Sequence, residues 1–150
     1  MYPARFEYHA PASVDEALEL LDRYGDEGKV LAGGQSLIPL MKLRFASPRA
    51  LVDINRIEGL DAIGEDDGFL SIGALVRHRD CETSNALKGR YGVLGDAAPQ
   101  ISDPIVRNRG TVGGSLCHAD PAADWTTALA ALGADAVVSD GARYRTVPVA

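Results

Sequence analysis

A chain of 150 residues, 46% hydrophobic and 24% charged, is long enough for one ordinary domain or for two small lobes sharing a core. A net charge of −6 and a pI near 5.0 offer no positive field to phosphate backbones or anionic lipid, which argues against a nucleic-acid partner. No apolar run approaches the roughly 20 residues that span a bilayer, and the amino-terminal MYPARFEYHAP lacks the apolar stretch of a secretory signal, so a cytoplasmic protein is expected.

In chain order, RFEYHA (5–10) reads as a first strand. Ser13 followed by Glu16 is a capping box that opens an amphipathic helix; Val14, Ala17, Leu18 and Leu21 share one face, and Gly25 and Gly28 stop it. KVLAG (29–33) reads as a short buried strand, residues Ser36 through Arg44 can form a helix with Pro39 in its first turn, and ALVDI (50–54) reads as another strand. This β-α-β-turn-β order makes residues 1–55 a first lobe.

The pattern changes from Arg56 onward, and 56–150 is taken as a second lobe that begins near Asn55 to Gly59. EDDG (65–68) is a hairpin-like turn ahead of FLSIGA, and mostly helical polar segments follow from Arg77 to Ala98. RNRGTVGGSLCHADPAAD (107–124) is glycine-rich, WTTALAALGA reads as a helix capped by Asp124 and ended by Gly133, and ADAVVS and RYRTVPV form a strand pair joined by Asp140-Gly141.

Cys81 and Cys117 stand apart, without the spacing of a zinc or iron-sulfur ligand set, so no metal site is expected on this chain. His9 and His78 read as structural or solvated, and His118 is not expected to be a general base. Arg107 and Arg109 read as a solvated pair with local acidic partners such as Asp103, or as residues that neutralise phosphates or meet a partner subunit.

Two glycine segments, AGGQSL and VGGSLC, each follow a small residue with Gly-Gly, a polar residue and leucine. Glycine has no side chain in the way, so Gly33-Gly34 can turn successive N-H groups toward one anion, and Thr111 and Ser115 hydroxyls beside the Gly113 and Gly114 amides offer a second set. Hydrogen bonds to a charged group contribute roughly 1.5 to 3 kcal/mol each, so two such loops could hold a pyrophosphate without a lysine. A lone Gly-Gly pair between strand and helix is most often a plain tight turn, and the plainer role of Asp124 is a helix cap, which can coexist with a ligand contact; the residues alone leave these open. P-loop, dinucleotide-fold and hydrolase-elbow signatures are missing.

KVLAGGQSLIPLMKLR (29–44) and IVRNRGTVGGSLCHADPAAD (105–124) closely resemble the two FAD-binding motifs of the medium, flavoprotein subunit of the molybdenum hydroxylases, the carbon monoxide dehydrogenase and xanthine dehydrogenase group. The resemblance covers nearly the whole chain. It implies an α+β, two-lobed FAD-binding fold of the vanillyl-alcohol oxidase type, with the cofactor between the lobes and the carboxy-terminal part of the family chain falling beyond residue 150. It implies that Val30, Leu31, Ala32, Gly33, Gly34, Gln35, Ser36 and Leu37 contact FAD from the first lobe, and Thr111, Gly113, Gly114, Ser115 and Asp124 from the second, with apolar contacts from Ile101 and Ile105. Ser115 stands where many members have asparagine. The implied partners are a large subunit with the molybdenum cofactor and a small subunit with [2Fe-2S] clusters, from which electrons pass through FAD to an external acceptor. No residue here is then a catalytic acid, base or nucleophile. A stand-alone FAD oxidoreductase of the same fold and a non-redox nucleotide-binding module are the alternatives.

Overall fold

A computed structural model describes residues 1–149 of the chain; residue 150, the last of the expected second lobe, lies outside the described residues. The chain divides into two compact units, Met1–Glu58 and the remainder from Gly59.

The first unit runs β1 (Glu7–His9), α1 (Val14–Tyr24), β2 (Gly28–Leu31), α2 (Leu37–Lys42) and β3 (Ala50–Asp53). Its strands form one parallel sheet in the order β1-β3-β2, with Leu31 opposite Asp53 at the carboxyl end of the β2–β3 pair. Central β3 is buried because both its edges are paired: Ala50, Leu51 and Val52 are at most 2% exposed. Burying such aliphatic side chains stabilises by roughly 1.5 to 3 kcal/mol each. Helix α1 packs on β2 and β3. Its Ser13 Oγ accepts from the Glu16 N-H (3.2 Å), as expected, but the reach of Glu16 back along the chain ends on the Ala12 N-H (2.8 Å), one residue before the cap.

Helix α2 is shorter than the expected 36–44. The N-H groups of Phe45 and Ala46 both turn back to the Leu40 carbonyl (2.9 and 3.3 Å), and Arg44 takes a left-handed φ of 62°, so the chain leaves the helix after Lys42.

The second unit opens with a hairpin, β4 (Ile63–Asp66) and β5 (Phe69–Ile72), turned by Asp67 and Gly68 at φ 50° and 78°. Two consecutive positive φ values are what a two-residue turn matched to strand twist demands. Helices α3 (His78–Thr83), α4 (Gly92–Ala97), α5 (Pro104–Arg107), α6 (Val112–His118) and α7 (Asp124–Ala131) follow, with single 3-10 turns among them, and then a hairpin of β6 (Asp135–Ser139) and β7 (Tyr144–Pro148). The strand pair at 134–149 is present, but its connection is not the bare Asp140-Gly141 expected: Ser139 pairs with Tyr144, so the loop also includes Ala142 and Arg143. Asp140 Oδ1 accepts from both of their N-H groups at 3.0 and 2.9 Å and shapes the wider turn.

The core of this unit gathers Val76, Cys81, Leu87, Leu94, Ala98, Val112, Trp125, Ala128 and Leu129. Trp125 is 1% exposed and donates from Nε1 to His78 Nδ1 at 2.8 Å. Burial, with a smaller contribution from the Arg77 charge, pushes the His78 pKa down to about 4, so the ring is a neutral acceptor, a structural histidine. Burial also pushes the Cys81 thiol up to about 12. Among the described residues no helix is long and apolar enough to cross a membrane.

Candidate functional site

The first candidate segment leaves the sheet where β2 ends. The Leu31 carbonyl still accepts a ladder bond from the Ile54 N-H (3.1 Å); one residue on, the Ala32 carbonyl accepts from the side chain of Asn55 (Nδ2, 2.8 Å). Asn55 is itself braced on Asp53, whose Oδ1 accepts from the Asn55 N-H (2.9 Å) and Nδ2 (2.6 Å), while Asp53 Oδ2 accepts from the Tyr8 hydroxyl (2.6 Å). Asn55, Asp53 and Tyr8 lie outside both glycine motifs. The available signal was a polar pair, Asp-x-Asn, closing the buried strand that runs beside the glycine-bearing one.

Gly33 is buried and Gly34 sits at φ 76°. An added Cβ at Gly34 would come within 2.7 Å of Ile38 Cδ1 and 3.2 Å of Leu31 Cδ1. The Gly34 and Ser36 carbonyls accept from Ile38 and Leu40 and lead into α2, of which Leu37 is the first residue; Ser36 makes no side-chain cap. Among the described residues, no oxygen accepts from the N-H groups of Gly33, Gly34, Gln35 or Ser36. Buried backbone donors are almost always satisfied in folded proteins, so the buried Gly33 N-H, followed by those of half-buried Gly34 and Gln35 and exposed Ser36, marks a place where an acceptor from outside the chain fits. A diphosphate supplies such oxygens. Val30, 43% exposed, and half-buried Leu31 and Ala32 lead into the same turn.

The second segment differs from its expected form. It is not an open loop: Thr111 is the N-cap of α6, its Oγ1 accepting from the Gly114 N-H (3.1 Å), and Val112, Gly113, Gly114 and Ser115 make up the first turn. Val112 N-H donates to the Val76 carbonyl, Gly113 N-H to the Ala74 carbonyl and Ser115 N-H to the Thr111 carbonyl, each at 3.0 Å. The expected free amides at Gly113 and Gly114 are therefore occupied. Gly113 has a packing reason instead: a Cβ there would lie 2.7 Å from the Ala74 carbonyl oxygen and 2.8 Å from its Cα. What this segment presents is a glycine-lined surface at Gly113 and Gly114, partly exposed like the Ser115 side chain beside it.

The remaining expected contacts spread over the same unit. Ile101 packs against the core cluster, whereas Ile105, on α5, is 74% exposed. Asp124 is exposed and is the first residue of α7, not its cap; Ala123 holds the cap position with no side-chain bond. The reason lies upstream: Asp120 folds the preceding turn, its Oδ1 accepting from Ala122 N-H (2.9 Å) and its carbonyl from Ala123 N-H (2.9 Å), which brings the chain into helical register one residue early. Helices α6 and α7 pack against each other. Arg107 is not a solvated partner of Asp103. Its Nε donates to Glu82 Oε2 (3.3 Å) and its Nη1 to the Ile101 and Ser102 carbonyls (both 3.1 Å), while Asp103 caps α5 by accepting from Val106 N-H (2.8 Å).

Residues 4–150 match the family described as the FAD binding domain in molybdopterin dehydrogenase. The chain is 47% identical over 148 residues to the carbon monoxide dehydrogenase medium chain of Hydrogenophaga pseudoflava, covering 99% of this chain and 52% of that one. It is 44% identical over 149 residues to the 6-hydroxypseudooxynicotine dehydrogenase complex subunit alpha of Paenarthrobacter nicotinovorans, covering 99% and 50%. Among solved structures, carbon monoxide dehydrogenase from Hydrogenophaga pseudoflava lacking the Mo-pyranopterin moiety of the molybdenum cofactor superposes with a TM-score of 0.96 at 48% identity, over 99% of this chain and 52% of that one. The chain thus spans about half the length of the relatives it matches.

Proposed function

The chain belongs to the family of FAD binding domains in molybdopterin dehydrogenases and has that family's α+β fold, and on that premise we propose that it works as the flavoprotein part of a molybdenum hydroxylase. The observation that carries this is the run of N-H donors from Gly33 to Ser36, unpaired within the described chain and beginning at the buried Gly33, in the segment expected to hold the FAD diphosphate.

In this reading Ala32 to Leu37 hold the diphosphate through backbone amides, with Val30 and Leu31 beside them. Each amide bond to a charged oxygen contributes roughly 1.5 to 3 kcal/mol, so a few of them support binding without a lysine. Thr111, Gly113, Gly114 and Ser115 contribute differently. The Gly113, Gly114 and Ser115 amides are engaged internally, so this segment meets the cofactor through close approach of glycine backbone and through the Ser115 hydroxyl. Exposed Ile105 offers apolar contact, Ile101 a lesser one, and Asp124 a carboxylate acceptor for ribose or flavin groups.

When bound, FAD supplies the redox chemistry, accepting electrons delivered from [2Fe-2S] clusters and releasing them to an external acceptor. The chain's own residues bind and orient; none acts as an acid, base or nucleophile on substrate. The substrate-oxidising molybdenum centre belongs to a large partner subunit and the iron-sulfur clusters to a small one.

The test is the visible absorption of the purified protein. The wild type is expected to carry oxidised flavin, and Gly33→Val, which crowds the buried turn, is expected to lose most of it. Equal flavin content in the two proteins contradicts the assignment of this turn.

A further inference from the structure

In a trans peptide the carbonyl and the following N-H lie in one plane and point in opposite directions. The described chain has no cis peptide bond, so the Ala32 carbonyl and the Gly33 N-H form such a unit. Whatever fixes the first aims the second. The Ala32 carbonyl is held by Asn55 Nδ2 at 2.8 Å, the same amide donates to Asp53 Oδ1 at 2.6 Å, and the Asn55 backbone N-H donates to that oxygen at 2.9 Å. Asp53 ends β3 opposite Leu31, the last residue of β2. The Asn55 side chain therefore adds one more rung to the β2–β3 ladder after the Ile54 N-H to Leu31 carbonyl bond, at the residue where the glycine turn departs.

We propose that Asn55, braced by Asp53, is a positioning residue for the cofactor: by holding the Ala32 carbonyl it orients the buried Gly33 N-H toward an oxygen of the FAD diphosphate. The inference rests on FAD lying at this turn. Without the Asn55 amide the Ala32–Gly33 peptide is free to rotate, and glycine on its carboxyl side does little to restrain it. The donor then has to be re-ordered whenever the ligand binds, and affinity falls.

The experiment uses the full chain labelled with ¹⁵N at glycine, titrated with FAD. In the wild type the Gly33 amide proton is expected to shift downfield on binding. Asn55→Ala is expected to weaken FAD binding about tenfold, a loss of 1.4 kcal/mol in binding free energy, and to reduce the Gly33 shift. Asn55→Ser, which is too short to reach the carbonyl, should behave alike and serves if the alanine variant does not fold. Tyr24→Phe removes a hydroxyl bond to Glu7 elsewhere on the same sheet and is expected to change melting temperature without moving the Gly33 signal. Wild-type affinity and an unchanged Gly33 shift in the Asn55 variants overturn the positioning role while leaving the cofactor assignment standing. A Gly33 amide that ignores FAD in the wild type overturns both.

Discussion

At Gly34 and Gly113 the sequence uses the same residue for different reasons. The Gly34 φ of 76° is open to glycine and costly for alanine, while the atoms an added Cβ would meet are the movable ends of Ile38 and Leu31. Gly34→Ala is therefore expected to cost about 1 to 2 kcal/mol, set by the backbone conformation. At Gly113 the neighbours are the carbonyl oxygen, Cα and Cβ of Ala74, which cannot move without moving α6 off the turn it bonds to. Gly113→Ala is expected to cost more, about 3 kcal/mol. Urea unfolding of both variants checks the order, and a reversed order contradicts it. His78 offers a pH test. Its folded pKa, about 4, lies below the ordinary 6.5, so the neutral ring's contribution is fully present above 6.5 and is lost as pH falls toward 4. The loss amounts to roughly 3 kcal/mol at most. Across that window the wild type should lose stability more steeply than His78→Gln; equal slopes would show that burial does not hold the ring neutral.

For whole elements, the caps separate what local pattern reveals from what it does not. Ser13 and Glu16 announce α1 because a cap and its reply lie within one turn of sequence. Strands β1 and β3 and helix α1 were legible for the same reason, that their periodicity and stop signals are local, whereas β2, expected to be buried, exposes Lys29 and Val30 because it lies at the edge of the sheet. Asp124 misled, since the register of α7 is decided by Asp120 folding the turn before it. Asp124→Ala is accordingly expected to change stability by only a few tenths of a kcal/mol through the helix dipole, whereas Thr111→Ala, which removes a bonded cap, should cost about 1 kcal/mol. Thermal unfolding of the two variants checks this; a larger effect at Asp124 would restore it as the cap. The Gly113 and Gly114 amides were misjudged because one of their acceptors, Ala74, lies far away in sequence, and no spacing rule reports where a distant carbonyl will arrive. Asn55 escaped notice on the same account: its importance comes from strand pairing, which places it beside Ala32.

For the molecule as a whole, the proposed reading asks an acidic chain to hold a dianionic bridge, and on that reading the first unit answers with backbone N-H groups at the edge of a parallel sheet. That makes binding dependent on backbone geometry and only weakly on pairing with charged side chains. The family match supports a flavin, while the chain covers about half of its relatives, so the assignment of electron partners stays with the longer assembly. The most direct test of the diphosphate grip is a competition titration of FAD from the purified wild-type chain. ADP, which carries the diphosphate, should displace FAD, and adenosine at equal concentration should not. Displacement by adenosine as effective as by ADP would mean that the turn at Gly33 does not grip the diphosphate.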